Sequence, residues 1–263
     1  MTEVASPGGA ETDRRTPPFP RNWMTMDTTD TPPQARTRRG GLPRGFLTAE
    51  RIVEESLRLL DADGVAGFSM PKLGRALGAD PTAVYRHFAS KDDLVLAIAD
   101  RLIAEAMAGL TPSECWVETL IDTTRRLRLT YRAHPAAASL SSFRTTQRPA
   151  EIQVVDILLD AVFQAGFEGY EAAVVYRSLG DFSLAWCGGE ASLLALPEPL
   201  QATDRAAWTQ AYRAVERAEY PHIWQVRDEL PLVTDDDIFE SILAIVIAGL
   251  CQRAPRPCPC PRH

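Results

Sequence analysis

The sequence predicts an all-α protein, with a helix-turn-helix module near its start and a larger helical domain after it. Apolar residues recur at helical spacing in about ten segments, and no stretch alternates as a half-buried strand would. Proline, glycine and capping residues separate these segments. At 263 residues and 45% apolar content, the chain can form one large domain or two small ones.

The first helices are marked by their ends. Thr48 is a good N-cap for a first helix, whose apolar residues recur at helical spacing until Gly64 stops it. Ser69 caps a short second helix, and Gly78 ends it. Asp80 then caps a third. Two short helices joined by a glycine-containing turn are typical of a helix-turn-helix.

The third helix begins at Pro81 and has an unusual outward side. Its apolar residues Val84 and Phe88 are four apart and are predicted to face inward. The outward side suits the major groove of DNA, since arginine can read guanine and threonine can meet a base or a phosphate. Lys91 opens a fourth helix, where it can pair with phosphate beside the helix N-terminal amides.

Residues 48–101 resemble the N-terminal domain of the tetracycline-repressor (TetR) family of bacterial transcription regulators. The motifs that carry the resemblance are D-G-V-x-G-F-S, K-L-G-R-A-L-G and, most specifically, A-V-Y-R-H-F-A-S-K-D-D-L. The resemblance implies phosphate contacts from Tyr85, His87 and Lys91. It implies base-edge positions at Pro81, Thr82, Ala83 and Arg86. The full predicted DNA-binding set is Thr48, Ser69, Pro81, Thr82, Ala83, Tyr85, Arg86, His87 and Lys91.

One position departs from the family pattern. Some relatives use a basic residue near the start of the second helix to read a base, and Pro71 stands about there in this chain. That contact is expected to be lost. Specificity would then rest more on Thr82 and Arg86.

The distribution of charge favours a nucleic-acid partner, although the whole chain is acidic. The formal net charge is −7, yet residues 36–91 hold ten Lys/Arg against six Asp/Glu, a net of +4. The rest of the chain therefore carries −11. A basic segment on an acidic body is typical of a DNA-binding module joined to a second module.

Four segments are predicted. Residues 1–43 form a disordered extension, rich in Pro, Thr, Gly and Arg, within which Met24 or Met26 could be the true start. Residues 44–93 form the helix-turn-helix DNA-binding domain, and 94–252 the helical ligand-binding and dimerisation domain. Residues 253–263 form a disordered Pro/Cys-rich tail. The arginines just ahead of the first helix form either a minor-groove arm or a solubilising tail. They are Arg36, Arg38, Arg39 and Arg44.

The larger domain is predicted to hold several long helices, at about 91–107, 114–132, 149–166 and 170–196. We attribute the internal glycines of the last to close approach of another helix, because glycine weakens a helix by roughly 1 kcal/mol relative to alanine. An amphipathic segment at about 204–218 and a loop follow.

The final helix begins after a cap at Asp235 or Asp236 and ends near Cys251. It is apolar nearly all round, so we expect burial on most sides. The family resemblance implies a homodimer through a four-helix bundle, here from helices at about 170–193 and 237–251. Two heads related by a two-fold axis would read a palindromic operator on double-stranded DNA.

The inward residues of the larger domain are candidates for the effector site as well as for the hydrophobic core. Few charges occupy the inward faces, which favours a hydrophobic or aromatic small molecule. The predicted ligand pocket comprises Trp116, Leu120, Thr124, Leu127, Phe143, Leu159, Phe163, Phe182 and Trp186. Four arginines on the fifth helix are interpreted as a solvated face rather than a second DNA site. They are Arg125, Arg126, Arg128 and Arg132.

No metal or other cofactor is predicted. Cys258-Pro-Cys260, with His263 nearby, could bind a soft metal such as Cu(I) or Zn, but no matching ligand set appears elsewhere. His134 and His222 stand beside prolines and are interpreted as loop or cap residues.

The sequence as a whole predicts a cytoplasmic DNA-binding transcriptional regulator, a repressor released by a small, largely apolar ligand. No apolar run suits a membrane span, and no Walker loop, G-x-S-x-G, H-E-x-x-H or dinucleotide-binding glycine cluster indicates an enzyme. Two alternatives remain. One is a regulator of the same fold that activates or answers to a protein partner. The other is a helical small-molecule binder with a vestigial DNA-binding head, against which the intact DNA-contacting set argues.

Overall fold

The structure, a computed structural model, describes residues 47–258 and confirms the all-α fold. Within that range eleven α-helices are present and no strand occurs. The predicted extension and its basic arm, together with Cys260 and His263, lie outside the described residues. The helices are α1 Ala49–Gly67, α2 Met70–Ala76, α3 Pro81–Val84, α4 Lys91–Ala106, α5 Trp116–Ala133, α6 Pro135–Ser141, α7 Pro149–Gln164, α8 Gly169–Leu194, α9 Glu198–Arg213, α10 Pro221–Val226 and α11 Asp235–Arg253.

The predicted caps of the first three helices are confirmed. Thr48 Oγ1 accepts a hydrogen bond from Arg51 N at 3.2 Å, and Ser69 Oγ and Asp80 Oδ1 cap α2 and α3 in the same way. Gly64 breaks the helical path of α1 with a φ of 65°, a conformation that glycine adopts at low cost. The described part of the chain therefore begins with the predicted helix-turn-helix.

The third helix is shorter than its apolar spacing predicts. Regular α-helix ends at Val84, and the next residues continue as a tight turn. In that turn Arg86 N donates to Ala83 O and His87 N donates to Val84 O, both three residues back. Such i to i−3 bonds tighten a helix end without changing which side chains face outward.

α4 joins the two parts of the fold. Its residues Leu94, Ile98 and Leu102 are buried in a core that includes residues of α1 and α5. Because α4 packs in one core with α1 of the DNA-binding module and α5 of the larger domain, a displacement of α4 in the larger domain also changes its contacts with the DNA-binding module.

α8 is built for close packing at one glycine. A Cβ on Gly188 would lie 2.4 Å from Ser142 Oγ, just after α6, so any larger residue would push these elements apart. The prediction of close approach is therefore confirmed at Gly188. At Gly180 and Gly189 a Cβ would meet no atom of the described chain closer than 3.9 Å, so no close approach within the single chain accounts for these two glycines.

The segment after α8 differs from its prediction. α9 begins at Glu198, with a proline in its first turn, ahead of the amphipathic segment predicted at about 204–218, and Pro221 begins α10 where a loop was predicted. Proline suits a first helical turn, because the N–H that it lacks has no partner there. A 3₁₀ helix at Leu230–Leu232 follows α10.

The final helix is capped by Thr234 instead of Asp235 or Asp236. Thr234 Oγ1 accepts from Asp237 N at 3.1 Å, and the Asp237 carboxylate accepts from Thr234 N at 2.9 Å, a reciprocal capping box. The expectation of burial on most sides is wrong for the single chain. One stripe of α11 is buried, while Ile245 on another side is 68% exposed.

The predicted solvated face of α5 is wrong for Arg128, whereas Arg125 and Arg132 are exposed. Arg128 is buried and makes a bidentate ion pair with Glu190 of α8, at 2.8 and 2.7 Å. The same guanidinium reaches Asp236 of α11 at 2.7 Å and lies 4.3 Å from the centre of the Phe239 ring. The sequence interpretation failed here because each carboxylate partner is far along the chain.

The other three arginines are paired too. Arg125 binds Glu240 of α11, Arg132 binds Asp236, and Arg126 binds Asp122 within α5. α5 is thus fastened to α8 and α11 by charge as well as by apolar packing. Within residues 47–258, no helix combines the length and the apolar character of a bilayer span.

The buried pair makes a stability prediction. Arg128→Met should lower the free energy of unfolding by about 3–5 kcal/mol, because it leaves the Glu190 carboxylate buried without its bidentate partner. Arg125→Met is the matched control, since the Arg125–Glu240 pair is half exposed and should contribute less than about 1 kcal/mol. Urea unfolding at one protein concentration compares both variants with the wild type. Equal losses would contradict the special role of Arg128.

Candidate nucleic-acid interface and ligand cavity

The cap of the third helix also fixes the side chain of Thr82, one of the predicted DNA contacts. Asp80 Oδ1 accepts from Thr82 N at 2.8 Å and from Thr82 Oγ1 at 2.7 Å. The bonds from the Thr82 hydroxyl and then its N–H lower the pKa of the Asp80 carboxyl. Because the Thr82 hydroxyl hydrogen is donated to Asp80, its oxygen lone pairs and its methyl group remain for a base edge.

The turn after α3 displays three side chains together. Tyr85, Arg86 and His87 are exposed, while Val84 and Phe88 on either side of them are buried as predicted. The two buried residues therefore hold the backbone of the turn against the core. The exposed surface of the turn therefore presents a phenol, a guanidinium and an imidazole.

Lys91 lies beside this surface at the start of α4. Its ammonium is 5.6 Å from the centre of the Phe68 ring, a cation–π contact that steadies a long side chain. The first turn of α4 is capped by Ser90, whose Oγ accepts from Asp93 N at 3.0 Å. A lysine and a helix N-terminus side by side form a reasonable phosphate contact.

The remaining predicted DNA residues occupy the same module. Thr48 and Ser69 are exposed caps, while Pro81 and Ala83 are half-buried in α3. A Cβ on Gly74 would lie 3.1 Å from Pro81, so this glycine lets α2 and α3 approach closely. Pro71 is exposed in the first turn of α2, and the neighbouring Lys72 ammonium is bound to Asp63 at 2.9 Å.

A cavity of about 100 Å³ lies inside the larger domain, among helices α4 to α8 and the segment after α6. Of the nine predicted pocket residues, Thr124 and Leu127 line it. The other wall residues are Ala99, Ile103, Met107, Thr123, Tyr131, Ser141, Ser142, Arg144, Glu151, Val154, Val155, Leu158, Tyr176, Leu179, Gly180, Ser183 and Leu184.

The structure does not bring the other seven predicted residues to this cavity. Trp116 and Leu120 are packed in the core, and Phe143 and Phe163 are exposed. Leu159, Phe182 and Trp186 are half-buried elsewhere. Helical spacing shows that a side chain faces inward, but it does not show whether it meets another side chain or empty space.

Sequence reasoning missed most of the polar wall. Thr123, Tyr131 and Ser183 lie on the inward faces of α5 and α8 and are buried. A hydroxyl on an otherwise apolar face was the available signal, because buried polar groups need partners that a purely apolar core does not supply. The three α4 residues of the wall carried no comparable signal.

Ion pairs connect the cavity rim to the head of α4. Arg144, which lines the cavity, makes a bidentate pair with Asp92 at 2.6 and 2.7 Å. That pairing lowers the pKa of the Asp92 carboxyl. Arg148 binds Asp93 at 2.6 Å. Both carboxylates directly follow Lys91, so the rim is fastened next to the expected phosphate contact.

His134 forms a second connection. It lies between α5 and α6 as predicted, with Nδ1 2.9 Å from Asp61 of α1 and Nε2 3.1 Å from Glu105 of α4. One imidazole thus contacts both the DNA-binding module and the linking helix. His222, in contrast, is exposed and belongs to α10 instead of a loop.

The cysteine tail approaches the start of α5. Cys258 Sγ lies 3.4 Å from Cys115 Sγ, a contact between residues that are distant in sequence. No group of three or more potential ligands for a metal occurs among the residues that the structure describes. The soft-metal alternative also involves Cys260 and His263, which lie outside them.

A helix-turn-helix head, joined by one helix to a helical domain with an internal cavity, defines a class of DNA-binding regulators with a separate effector domain. Residues 52–98 match the family described as bacterial regulatory proteins, tetR family. Residues 108–254 match the tetracyclin repressor-like C-terminal domain. These matches cover more than half of the chain, which belongs to the TetR family of transcriptional regulators.

Individual relatives agree with this assignment. The chain is 29% identical over 176 residues to an HTH-type transcriptional regulator of Saccharopolyspora erythraea, covering 67% of this chain and 73% of the relative. It is 25% identical over 209 residues to the class A tetracycline repressor protein from transposon 1721 in Escherichia coli, covering 79% and 92%. A structure described as a possible TetR family transcriptional regulator from Streptomyces coelicolor A3(2) aligns with a TM-score of 0.66 and 29% identity, covering 80% and 100%.

Proposed function

We propose that this protein is a dimeric repressor that binds a palindromic operator and is released by a small, largely apolar effector in the cavity. The observation that carries the proposal is the Arg144–Asp92 pair, which joins the cavity rim to the residue after Lys91. We assign the DNA-binding domain to 44–93 and the effector and dimerisation domain to 94–252, with α4 crossing the boundary. A regulator of chromosomal genes would act in the cytoplasm.

The DNA contacts proposed are those of the exposed turn and its neighbours. Arg86 would read a base edge, with Thr82 contributing an acceptor oxygen and a methyl group beside it. Tyr85, His87 and Lys91 would bind phosphates and fix the register of the head on the duplex. Thr48, Ser69, Pro81 and Ala83 would complete the interface.

Release would follow from the size of the cavity. About 100 Å³ is less than the roughly 300–1,000 Å³ of typical small-molecule sites, so most effectors must widen it. α4 supplies Ala99, Ile103 and Met107 to the wall, so widening displaces α4 and with it the head. By thermodynamic linkage, operator DNA must weaken effector binding by the same factor.

The dimer surface is proposed to lie on α8 and α11. The Arg253–Glu171 contact at 3.2 Å joins the end of α11 to the start of α8, while Arg128 joins their opposite ends, so the helices run antiparallel. The side of α8 that faces solvent carries Val174, Ser178, Ala185, Gly189 and Leu193 together with the Arg177–Asp181 ion pair, and that of α11 carries Ala244, Ile245, Ala248 and Gly249. Small and apolar residues of this kind suit close helix packing in a four-helix bundle.

Footprinting of the DNA beside the protein's own gene, at two salt concentrations, tests the proposal. A protected palindrome that weakens as salt rises is expected, because phosphate contacts release counterions. Addition of an effector should remove the protection. Absence of protection at both concentrations would contradict operator binding at that site.

Arg86→Ala should relax base specificity. We expect a loss of about 1–3 kcal/mol for the preferred base at one operator position, with little change for other sequences. Competition between the operator and single-position variants measures the difference. Equal loss on every sequence would show that Arg86 does not read a base.

Lys91→Ala should weaken binding to all sequences alike and reduce the salt slope by roughly one, because one phosphate contact is removed. Affinities at four or more salt concentrations give the slope. Lys72→Ala is a matched control, since the Lys72 ammonium is already bound to Asp63. An unchanged slope for Lys91→Ala would remove this residue from the phosphate contacts.

Ile245→Arg should convert the dimer to a monomer, because it places a charge in the proposed bundle. Leu129→Arg is the matched control: Leu129 is also 68% exposed but lies on α5, outside the proposed surface. Light scattering after size exclusion gives the mass. A dimeric Ile245→Arg protein would contradict the surface, whereas a monomer for both variants would show that the charge acts nonspecifically.

A further inference from the structure

We infer that the effector is a neutral, elongated molecule that donates a hydrogen bond at one end of the cavity and accepts one at the other. The inference rests on the proposed function and specifies the chemistry of the same cavity. It follows from the direction in which the hydroxyl groups of the wall already donate their hydrogens.

The donor end of the effector would meet Thr124 and Ser183. Thr124 Oγ1 donates to Leu120 O at 2.9 Å, and Ser183 Oγ donates to Leu179 O at 2.8 Å. A hydroxyl has one hydrogen and two lone pairs, so each oxygen keeps acceptor capacity after this bond. The two oxygens are 3.4 Å apart. A donor placed between them can therefore be shared by both.

Two further hydroxyls of the wall also donate their hydrogens to backbone carbonyl oxygens. Thr123 Oγ1 donates to Thr119 O at 2.7 Å, and Ser141 Oγ donates to Ala137 O at 2.8 Å. All four hydroxyl residues are buried. These four hydroxyls thus offer acceptor oxygens without free hydrogens, and a ligand beside them gains most by donating.

The acceptor end of the effector would meet Tyr131. This residue lines the cavity, is 2% exposed, and makes no side-chain hydrogen bond within residues 47–258. Burial raises the pKa of its phenol far above the ordinary value, which keeps the hydroxyl protonated. The phenol oxygen is not one of the fully enclosed side-chain atoms that lack a partner within residues 47–258, so a molecule in the cavity can reach it. A ligand carbonyl would supply the partner.

The charged side chains of the wall already have hydrogen-bond partners, which favours a neutral ligand. Arg144 is held by Asp92 in a bidentate pair. The Glu151 carboxylate accepts from Thr146 Oγ1 at 2.8 Å and from Gln147 N at 2.6 Å. An anionic effector would lose its water while Arg144 is already paired, and a cationic effector would have to compete for a Glu151 carboxylate that already accepts two hydrogen bonds, so the desolvation of either is unfavourable.

The spacing of Thr124 and Tyr131 along α5 sets the length of the proposed effector. Thr124 and Tyr131 are seven residues apart, which is about 10 Å along a helix axis. This distance suits two fused aromatic rings with a hydroxyl on one and a carbonyl on the other. The apolar side chains of α4 and α7 would cover the ring faces.

Three matched probes test the inference on the full-length protein by calorimetry. The first is a naphthol with an acetyl group on the far ring, the second is its methyl ether, and the third replaces the acetyl group by ethyl. The ether lacks the donor, and the ethyl compound lacks the acceptor. We expect the first probe to bind about tenfold more tightly than either of the others.

Variants assign each preference to a residue. Thr124→Val, which keeps the shape, and Ser183→Ala should each bring the naphthol-to-ether ratio towards one. Tyr131→Phe should remove only the preference for acetyl over ethyl. Thr130→Val is the control, because Thr130 is buried on the same helix but does not line the cavity. It should keep both preferences.

The outcomes separate this inference from the proposed function. A ratio near one for the wild type, or no binding of any probe at millimolar concentration, would overturn the inference even where the operator is protected. The expected ratios together with no operator protection would support the inference and count against the repressor. Loss of both preferences in Thr130→Val would also overturn the assignment, since the effect would then be nonspecific.

Discussion

The buried contact between Arg128 and Glu190 is the interaction on which the larger domain depends most. A guanidinium inside a helical core must keep its carboxylate partners, since either charge alone would be strongly unfavourable there. Arg128 satisfies this constraint by meeting Glu190 of α8 and Asp236 of α11 from its position on α5. α5, which forms part of the cavity wall, is therefore fixed to α8 and α11, the two helices proposed to form the dimer surface. These three helices cannot shift independently.

A second constraint acts on the other side of the cavity. The rim is tied to the start of α4 through Arg144 and Arg148, and His134 joins α4 to α1. These contacts are partly exposed, so each is worth less than the buried pair. The contacts of α5 with α8 and α11 are thus expected to resist displacement more strongly than the contacts of α4, which is the more yielding side of the domain. A change in cavity volume is expected to be taken up by the yielding side, which leads to the head.

Local chemistry made much of the DNA-binding module predictable from sequence. Thr48, Ser69 and Asp80 cap helices through bonds to residues two or three positions away, so the information lies within a short window. The ion pairs of α5 and the cavity were not predictable in this way. Arg128 meets Glu190 sixty-two positions later. Thr124 and Leu127 were correctly assigned to the cavity, because helical spacing shows which face of α5 they occupy. The residues that α4 contributes to the cavity wall were not predictable, because they depend on how the helices cross.

Because the cavity is small, the affinity of a compound for the protein and its strength as an inducer are expected to differ. A compound that fits within about 100 Å³ without moving α4 would bind the resting and the displaced conformations equally well, and such a ligand shifts no equilibrium however tightly it binds. It would act as a competitive antagonist of induction. A larger compound would lose part of its intrinsic affinity to the rare state that admits it. The strongest binder and the strongest inducer are therefore expected to be different molecules.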